Sequence, residues 1–258
     1  MSLTDECKII MPTCDKYLHL LAGNMFLLDH FWPDHPKVYV IGFKEPTCEL
    51  DPDKWEFVSM GEDMGKGSWG NMLRDFFEKH GDKIGDYFIH MNDDAPPLQE
   101  INADMLSYIF DYVKSDPKIG RATLSGARGY VKNNPSTRSH YKDIEGGKYK
   151  LGEVPSSGPY RTSIANDLWN KKFFLKHLKP NLSSWAFETQ HPKNDGFRVI
   201  STAEAPPIVF CHIYRNSGYF DTTWYKNKGH GGTLPEDLKK KYIELTGLDT
   251  HPHKFWNK

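Results

Sequence analysis

Four cysteines in 258 residues, Cys7, Cys14, Cys48 and Cys211, form no CxxC pair and no zinc-ligand spacing, which excludes a disulfide-stapled scaffold and a cysteine-rich metal site. They read as reduced thiols. Long hydrophobic runs are also missing: nothing approaches the roughly 18 apolar residues of a membrane span. The first residues carry Asp5 and Glu6 where a secretory leader would be basic. The expectation is a cytosolic chain with no membrane span. Net charge is nearly absent as well, −1 with a pI near 6.9, so no global field draws the chain to nucleic acid, and any bound phosphate must be held by local groups. There is no internal repeat or low-complexity tract. What remains is ordinary globular composition, 38% hydrophobic and 26% charged, with aromatics at 14% and seven Trp, which suits surfaces that stack on flat apolar faces such as sugars or bases.

In the first half, short apolar runs alternate with helical periodicity. Lys8–Met11 and Val38–Gly42 read as strands, and Tyr17–Phe31 between them places Leu18, Leu21, Met25 and Leu28 at helical spacing. Trp55–Met60 is a third strand, Ser68–His80 a helix, Asp86–Met91 a fourth strand, and Ile101–Lys114 another helix. Strands alternating with helices predict an α/β fold with a mainly parallel central sheet flanked by helices, whose ligands bind at the carboxyl ends of the strands. After Asp116-Pro117 the pattern loosens: Gly120–Tyr130, Asn133–His140 and the Gly-rich stretch to Pro159 read as loop and edge structure. Thr162–Leu178 reads as one amphipathic helix capped by Thr162 or Ser163, a further helical turn begins near Ser183 or Ser184, Phe197–Ile200 and Ile208–Ile213 are β-like, and a short helix follows Pro235. One domain over 1–258 is expected, with 1–116 as the ligand-binding half and 117–258 as the acceptor side.

The segment richest in chemistry is Asn92-Asp93-Asp94, which ends the fourth apolar strand. Three adjacent oxygen-bearing side chains suit a hard divalent cation such as Mn2+ or Mg2+, and strand alternation points Asn92 and Asp94 one way and Asp93 the other. The alternative is an Asx turn leading into Pro96. Gly61–Ser68 lies where a P-loop would, but it has three rather than four residues before Gly65-Lys66 and inserts Gly67 before Ser68. This spacing argues against a P-loop NTPase, although Lys66 remains a phosphate candidate beside the reading as a plain flexible connection. Thr13 and Asp15, after the first strand, can bond a base or ribose or cap the first helix. Trp69 and Asn71 open the next helix but one and can reach the same cleft, with Trp69 as core the alternative.

Trp185-Ala186-Phe187-Glu188 fails the capping-box spacing, because Phe187 stands three residues after Ser184. A carboxylate between two aromatics is partly desolvated, the environment that raises a carboxyl pKa towards general-base use; a buried structural Glu188 is the alternative. His212, after an apolar run, can ligate a metal or meet a phosphate, and Arg215 can neutralise a departing diphosphate; both can equally be structural.

In the order of these parts the chain resembles the small stand-alone GT-A-fold glycosyltransferases of bacterial and large-virus polysaccharide pathways. The resemblance rests on Pro12-Thr13-Cys14-Asp15, the Gly-rich turn with Trp69 and Asn71, Asn92-Asp93-Asp94, and Trp185-Ala186-Phe187-Glu188, and it covers most of the chain. It implies a Rossmann-type GT-A sandwich, a nucleotide-diphosphate sugar donor, a glycan acceptor, and Mn2+ or Mg2+ held through Asp94 with Asn92 and Asp93, to which the reading of the residues adds His212 as a metal ligand. Glu188 would be the catalytic base, and Thr13, Asp15, Lys66, Trp69, Asn71, Asn92, Asp93 and Arg215 would contact the donor. Asn92 departs from the family's Asp-x-Asp. An inverting outcome is expected. Readings from other classes are a non-catalytic glycan- or nucleotide-sugar-binding protein and a metal-dependent phosphohydrolase.

Overall fold

The structure, a computed structural model, describes residues 3–63, 65, 67–125, 142–144, 147–158, 160–190, 192–202, 206–210, 212–213 and 234–248. Its centre is a nine-stranded sheet in the order β3-β2-β1-β4-β8-β5-β9-β7-β6. The strands are β1 Lys8–Pro12, β2 Val38–Gly42, β3 Trp55–Ser59, β4 Tyr87–His90, β5 Ile119–Thr123, β6 Lys142–Ile144, β7 Leu151–Val154, β8 Asp167–Asn170 and β9 Arg198–Thr202. Helices α1 Leu3–Glu6, α2 Leu21–Phe31, α3 Ser68–His80, α4 Ala103–Ser115, α5 Lys171–His177, α6 Ser184–Glu188 and α7 Glu236–Thr246 complete it.

The α/β class holds, with a sheet that is mixed rather than purely parallel. Strands β3, β2, β1 and β4 are all parallel, whereas β8 runs antiparallel to both β4 and β5, and β7 antiparallel to β6 and β9. Strand alternation sorts side chains into two layers. Ile9, Val38, Val40, Ile89 and Leu168 pack with α4 through Met105, Ile109 and Phe110. Their neighbours Ile10, Tyr39, Ile41, Phe88 and Trp169 pack on the other face with α3 and α5 through Leu73, Phe76, Phe173 and Phe174. A slip of one residue in any central strand would exchange these sets, so burial on both faces fixes the register. A smaller cluster joins α7 to α2 through Tyr242, Leu27 and Phe31. Gly23 makes that approach possible, since a Cβ there would stand 2.5 Å from the Tyr242 ring.

Two expectations from the second half are corrected. Thr162–Leu178 is not one helix: Asp167–Asn170 is strand β8, buried at all four positions and inserted between β4 and β5. Asn170 then caps α5, its Oδ1 accepting from the N–H groups of Lys172 (2.9 Å) and Phe173 (3.3 Å). The spacing of Leu168, Trp169 and Phe173 fits both a helix and a strand followed by a helix, and pairing on two edges decided for the strand. Likewise Gly120, read as loop, lies in β5, which is buried throughout. A Cβ on Gly120 would meet the Phe173 ring at 2.4 Å, so the glycine that suggested a loop serves close strand–helix packing. Of Ile208–Ile213, the described residues show one bridge, Phe210 with Pro97.

Candidate active site

At the carboxyl ends of β1 and β4 the sheet opens into a cleft of about 510 Å³. Two loops form its floor: the one after β1, with Thr13 and Cys14, and the acidic turn after β4, with Asn92, Asp93 and Asp94. Asp63, Ser68 and Trp69 at the start of α3 make one wall, and Ser183, Ser184 and Glu188 of α6 another. Because β8 is antiparallel to β4, its first residue, Asp167, pairs with the last of β4, His90. The segment entering β8 therefore arrives beside the acidic turn.

The turn is held through its main chain. Asn166 Oδ1 accepts the Asn92 N–H (3.1 Å) and its Nδ2 donates to the Ala95 carbonyl (3.0 Å). From the other side Asn24 Nδ2 donates to the Asp93 carbonyl (2.6 Å), and the Ile213 N–H to that of Asp94 (2.9 Å). The Asp94 carboxylate is thus not consumed in closing the turn. The Asx-turn alternative is also unsupported at Asn92, whose side chain makes no hydrogen bond with any described residue. His212 Nδ1 hydrogen-bonds Asp94 Oδ1 (2.9 Å), which ties the histidine to the acidic turn. Burial, and then the charge of Asp94, push the Asp93 carboxyl well above the usual range, with the Thr13 hydroxyl opposing.

Glu188 is half-buried, and its Oε1 accepts from Ser163 Oγ (3.0 Å) and from the Ile164 N–H (2.9 Å). Its Oε2 takes no hydrogen bond from the described residues. The aromatics beside it do not enclose it. Phe187 is fully buried against Trp69, Trp169 and Phe174, while Trp185 is 66% exposed. Helix α6 is capped by Ser183, whose Oγ accepts from the Ala186 N–H (3.1 Å). The capping residue therefore stands one position before the Ser184 tested by the sequence pattern.

Of the residues singled out from sequence, the cleft gathers Thr13, Trp69, Asn92, Asp93, Asp94, Glu188 and His212. Asp15 turns away, accepting from the Lys44 N–H (3.2 Å) and pairing with its ammonium (3.0 Å). Asn71 is likewise used elsewhere, exchanging two hydrogen bonds with Asn181 that fasten α3 to the loop before α6. Lys66 and Arg215 lie outside the described residues.

Sequence reading missed four contributors. Asp63 accepts from Ser68 Oγ (3.0 Å) and the Gly65 N–H (2.8 Å), which shapes the glycine-rich loop without a P-loop. His90 is buried with neither ring nitrogen hydrogen-bonded, and burial, with Arg121 adding to it, drives its pKa down to about 3. Asn24 and Asn166 are the other two. Their only signal was a polar residue on an apolar helix stripe and before an apolar run, respectively.

No group of three His, Cys, Asp or Glu side chains among the described residues is close enough to hold an ion by itself. The donor set nevertheless suits one: Asp63, Asp93, Asp94 and Glu188 line the cleft, and no Lys or Arg is among its described lining residues. Hard cations of the Mg2+ type bind through one or two carboxylates and complete their shell with substrate phosphates and water.

No family model matches this sequence, and no curated protein matches it. Among solved structures the chain is similar to a galactosyltransferase, LgtC, in complex with donor and acceptor sugar analogues. Identity there is 11% and the TM-score 0.41, over 96% of this chain and 98% of that one. It is also similar to TarS of S. aureus, at 11% identity and a TM-score of 0.45, over 95% of this chain and 40% of that one. Likeness at this level does not bear on the chemistry of the cleft. No helix among the described residues is long and apolar enough to cross a membrane.

Proposed function

We propose that this chain transfers a sugar from a nucleotide-diphosphate donor to a hydroxyl of a glycan acceptor, with Mn2+ or Mg2+ at the turn after β4. The observation that carries the reading is a cleft lined by four carboxylates, without a described Lys or Arg, where the parallel strands end. Carboxylates gathered there favour a diphosphate that arrives with a divalent cation over a bare one. Its volume suits a ligand of nucleotide-sugar size. Asp94, with Asn92 and His212, would hold the cation, which when bound would offset the negative charge developing on the departing diphosphate.

The remaining chemistry belongs to the chain's own groups. Thr13 and Trp69, which line the cleft, would contact the base and ribose, and the hydroxyls of Ser183 and Ser184 on the α6 wall would face the acceptor. Ser163 and Ile164 fix Oε1 of Glu188, so its other oxygen is the one that would take the acceptor's proton. As that proton leaves, the acceptor oxygen bonds to the anomeric carbon, the bond from that carbon to the diphosphate oxygen breaks, and the diphosphate departs with the electron pair. Direct displacement of this kind inverts the anomeric centre.

The test is a screen of nucleotide sugars by thermal shift with and without Mn2+, followed by transfer assays on the stabilising donor. Asp94→Ala should abolish both transfer and metal-dependent nucleotide binding. Glu188→Gln should abolish transfer and spare donor binding. Turnover retained in either variant removes that residue's role, and release of inorganic phosphate from simple esters would instead make the chain a phosphohydrolase.

A further inference from the structure

Six main-chain groups around the acidic turn are accounted for by distant parts of the chain or by the turn itself, and two of the partners are buried asparagine side chains. Asn166 is fully buried and uses both ends of its carboxamide, accepting at Asn92 and donating at Ala95, so that it spans the turn from one end to the other. Asn24, 1% exposed, holds the Asp93 carbonyl between them, and its own Oδ1 accepts from Tyr242 Oη (3.0 Å) on α7. Each asparagine is itself fixed by its neighbours. Next to Asn166, Asp167 is bound by Arg121 (3.0 Å to Nε, 2.8 Å to Nη2), and Arg121 Nη1 also donates to the carbonyls of Tyr160 (2.9 Å) and Arg161 (3.1 Å). Next to Asn24, Gly23 allows the Tyr242 ring to lie against α2.

A peptide turn that needs its own Asp or Asn side chains to close leaves those side chains unavailable to a ligand. Here two carboxamides from elsewhere do the closing. Only a carboxamide has an acceptor and a donor so placed, and an aspartate in either position would lose the donor. We infer that Asn166 and Asn24 are positioning residues, a two-sided clamp on the main chain of residues 92–95 that holds Asn92 and Asp94 in place to bind the divalent cation. The inference rests on the proposed function for the identity of the ligand, though not for the clamp. The segment of residues 160–166 then serves both sides of the cleft, because Ser163 and Ile164 hold Glu188 while Asn166 holds the turn.

The experiment compares wild type with Asn166→Asp, the milder Tyr242→Phe, and Asn170→Ala as a control for a buried asparagine that caps α5. Binding of Mn2+ alone and with nucleoside diphosphate is followed by electron paramagnetic resonance, and amide exchange of residues 91–95 by mass spectrometry. Supporting residues of this kind weaken metal affinity by roughly 10–100-fold when changed. Asn166→Asp should fall in that range and Tyr242→Phe towards its lower end. Both should exchange faster across the turn, and excess Mn2+ should restore transfer. Asn170→Ala should lower the melting temperature and leave Mn2+ affinity where it was. Unchanged Mn2+ affinity in Asn166→Asp beside a lowered melting temperature would overturn the inference. Should wild type bind no Mn2+ at all, the proposed function fails instead, and exchange across the turn decides the clamp alone: faster exchange in Asn166→Asp keeps it, unchanged exchange removes it.

Discussion

The parallel half of the sheet and the half beyond β4 solve the same burial problem with different interiors. Between β3 and β4 the interior is apolar, with Ile9, Ile10, Val40, Ile41, Phe88 and Ile89 all at 0% exposure, and burial favours the neutral form of two deep titratable groups there, the Cys7 thiol and the His90 ring. Beyond β4 the interior carries ions. Arg121 pairs with Asp167, and Arg161 with Asp195 (3.0 Å), at side chains no more than 5% exposed. Burial lifts the Asp167 carboxyl to about 7 against the pull of Arg121. The ionic half is the one whose strands run in both directions. There, directional charged hydrogen bonds add to burial in fixing how the strands pair.

Breaking the ionic half should give the largest effect. Arg121→Met leaves Asp167 without its counter-ion and frees the Tyr160 and Arg161 carbonyls, so the loss should be about 3–5 kcal/mol in urea denaturation. Adding Asp167→Leu should recover much of it, because the pair is replaced rather than broken. A single variant as stable as wild type would erase the contrast between the two interiors.

The apolar half should respond to pH through Cys7. Burial pushes this thiol up to about 12 from an ordinary 9.0. Below pH 9 it is neutral in both states and contributes nothing. Above pH 9 the unfolded chain loses the proton and the folded chain keeps it, so stability drains away as pH rises. Over 1.5 pH units the loss is about 2 kcal/mol. Denaturation midpoints of wild type and Cys7→Ala should converge between pH 8.5 and 10.5, and parallel curves would show that the thiol ionises in place.

The smallest expected effect sharpens the comparison at matched helix caps. Asn102 caps α4 beneath the parallel half by accepting from the Met105 N–H (3.0 Å), and Ser183 caps α6 across the cleft. Either residue changed to Ala should cost about 1 kcal/mol, read as a shift in thermal midpoint. Only Ser183→Ala should also slow transfer, because α6 carries Glu188. Equal turnover in both variants would detach the helix from the chemistry.

Legibility followed the same division. Val38–Gly42 and Ser68–His80 were readable to the residue, since one strand is continuously apolar and one helix repeats Met72, Leu73, Phe76 and Phe77 on one face. Strand β8 was unreadable, because DLWN joined to the α5 sequence keeps helical spacing, and only the open edges of β4 and β5 make a strand of it. The cleft residues adjacent in sequence, Asn92 to Asp94, were legible. Asn24 and Asn166 were not, because their partners lie 69 and 74 residues away.

By itself, then, the sequence settled the α/β alternation and the placing of an oxygen-rich tripeptide where a buried strand stops, since both follow from periods of two and 3.6 residues within short windows. The tertiary structure alone decided that a strand from the second half runs antiparallel against that strand. It also decided that a carboxamide at residue 166 and one at residue 24 meet over the turn and that Glu188 faces the same cleft. Hydrogen bonds between groups far apart along the chain depend on pairing and packing, which no local pattern encodes.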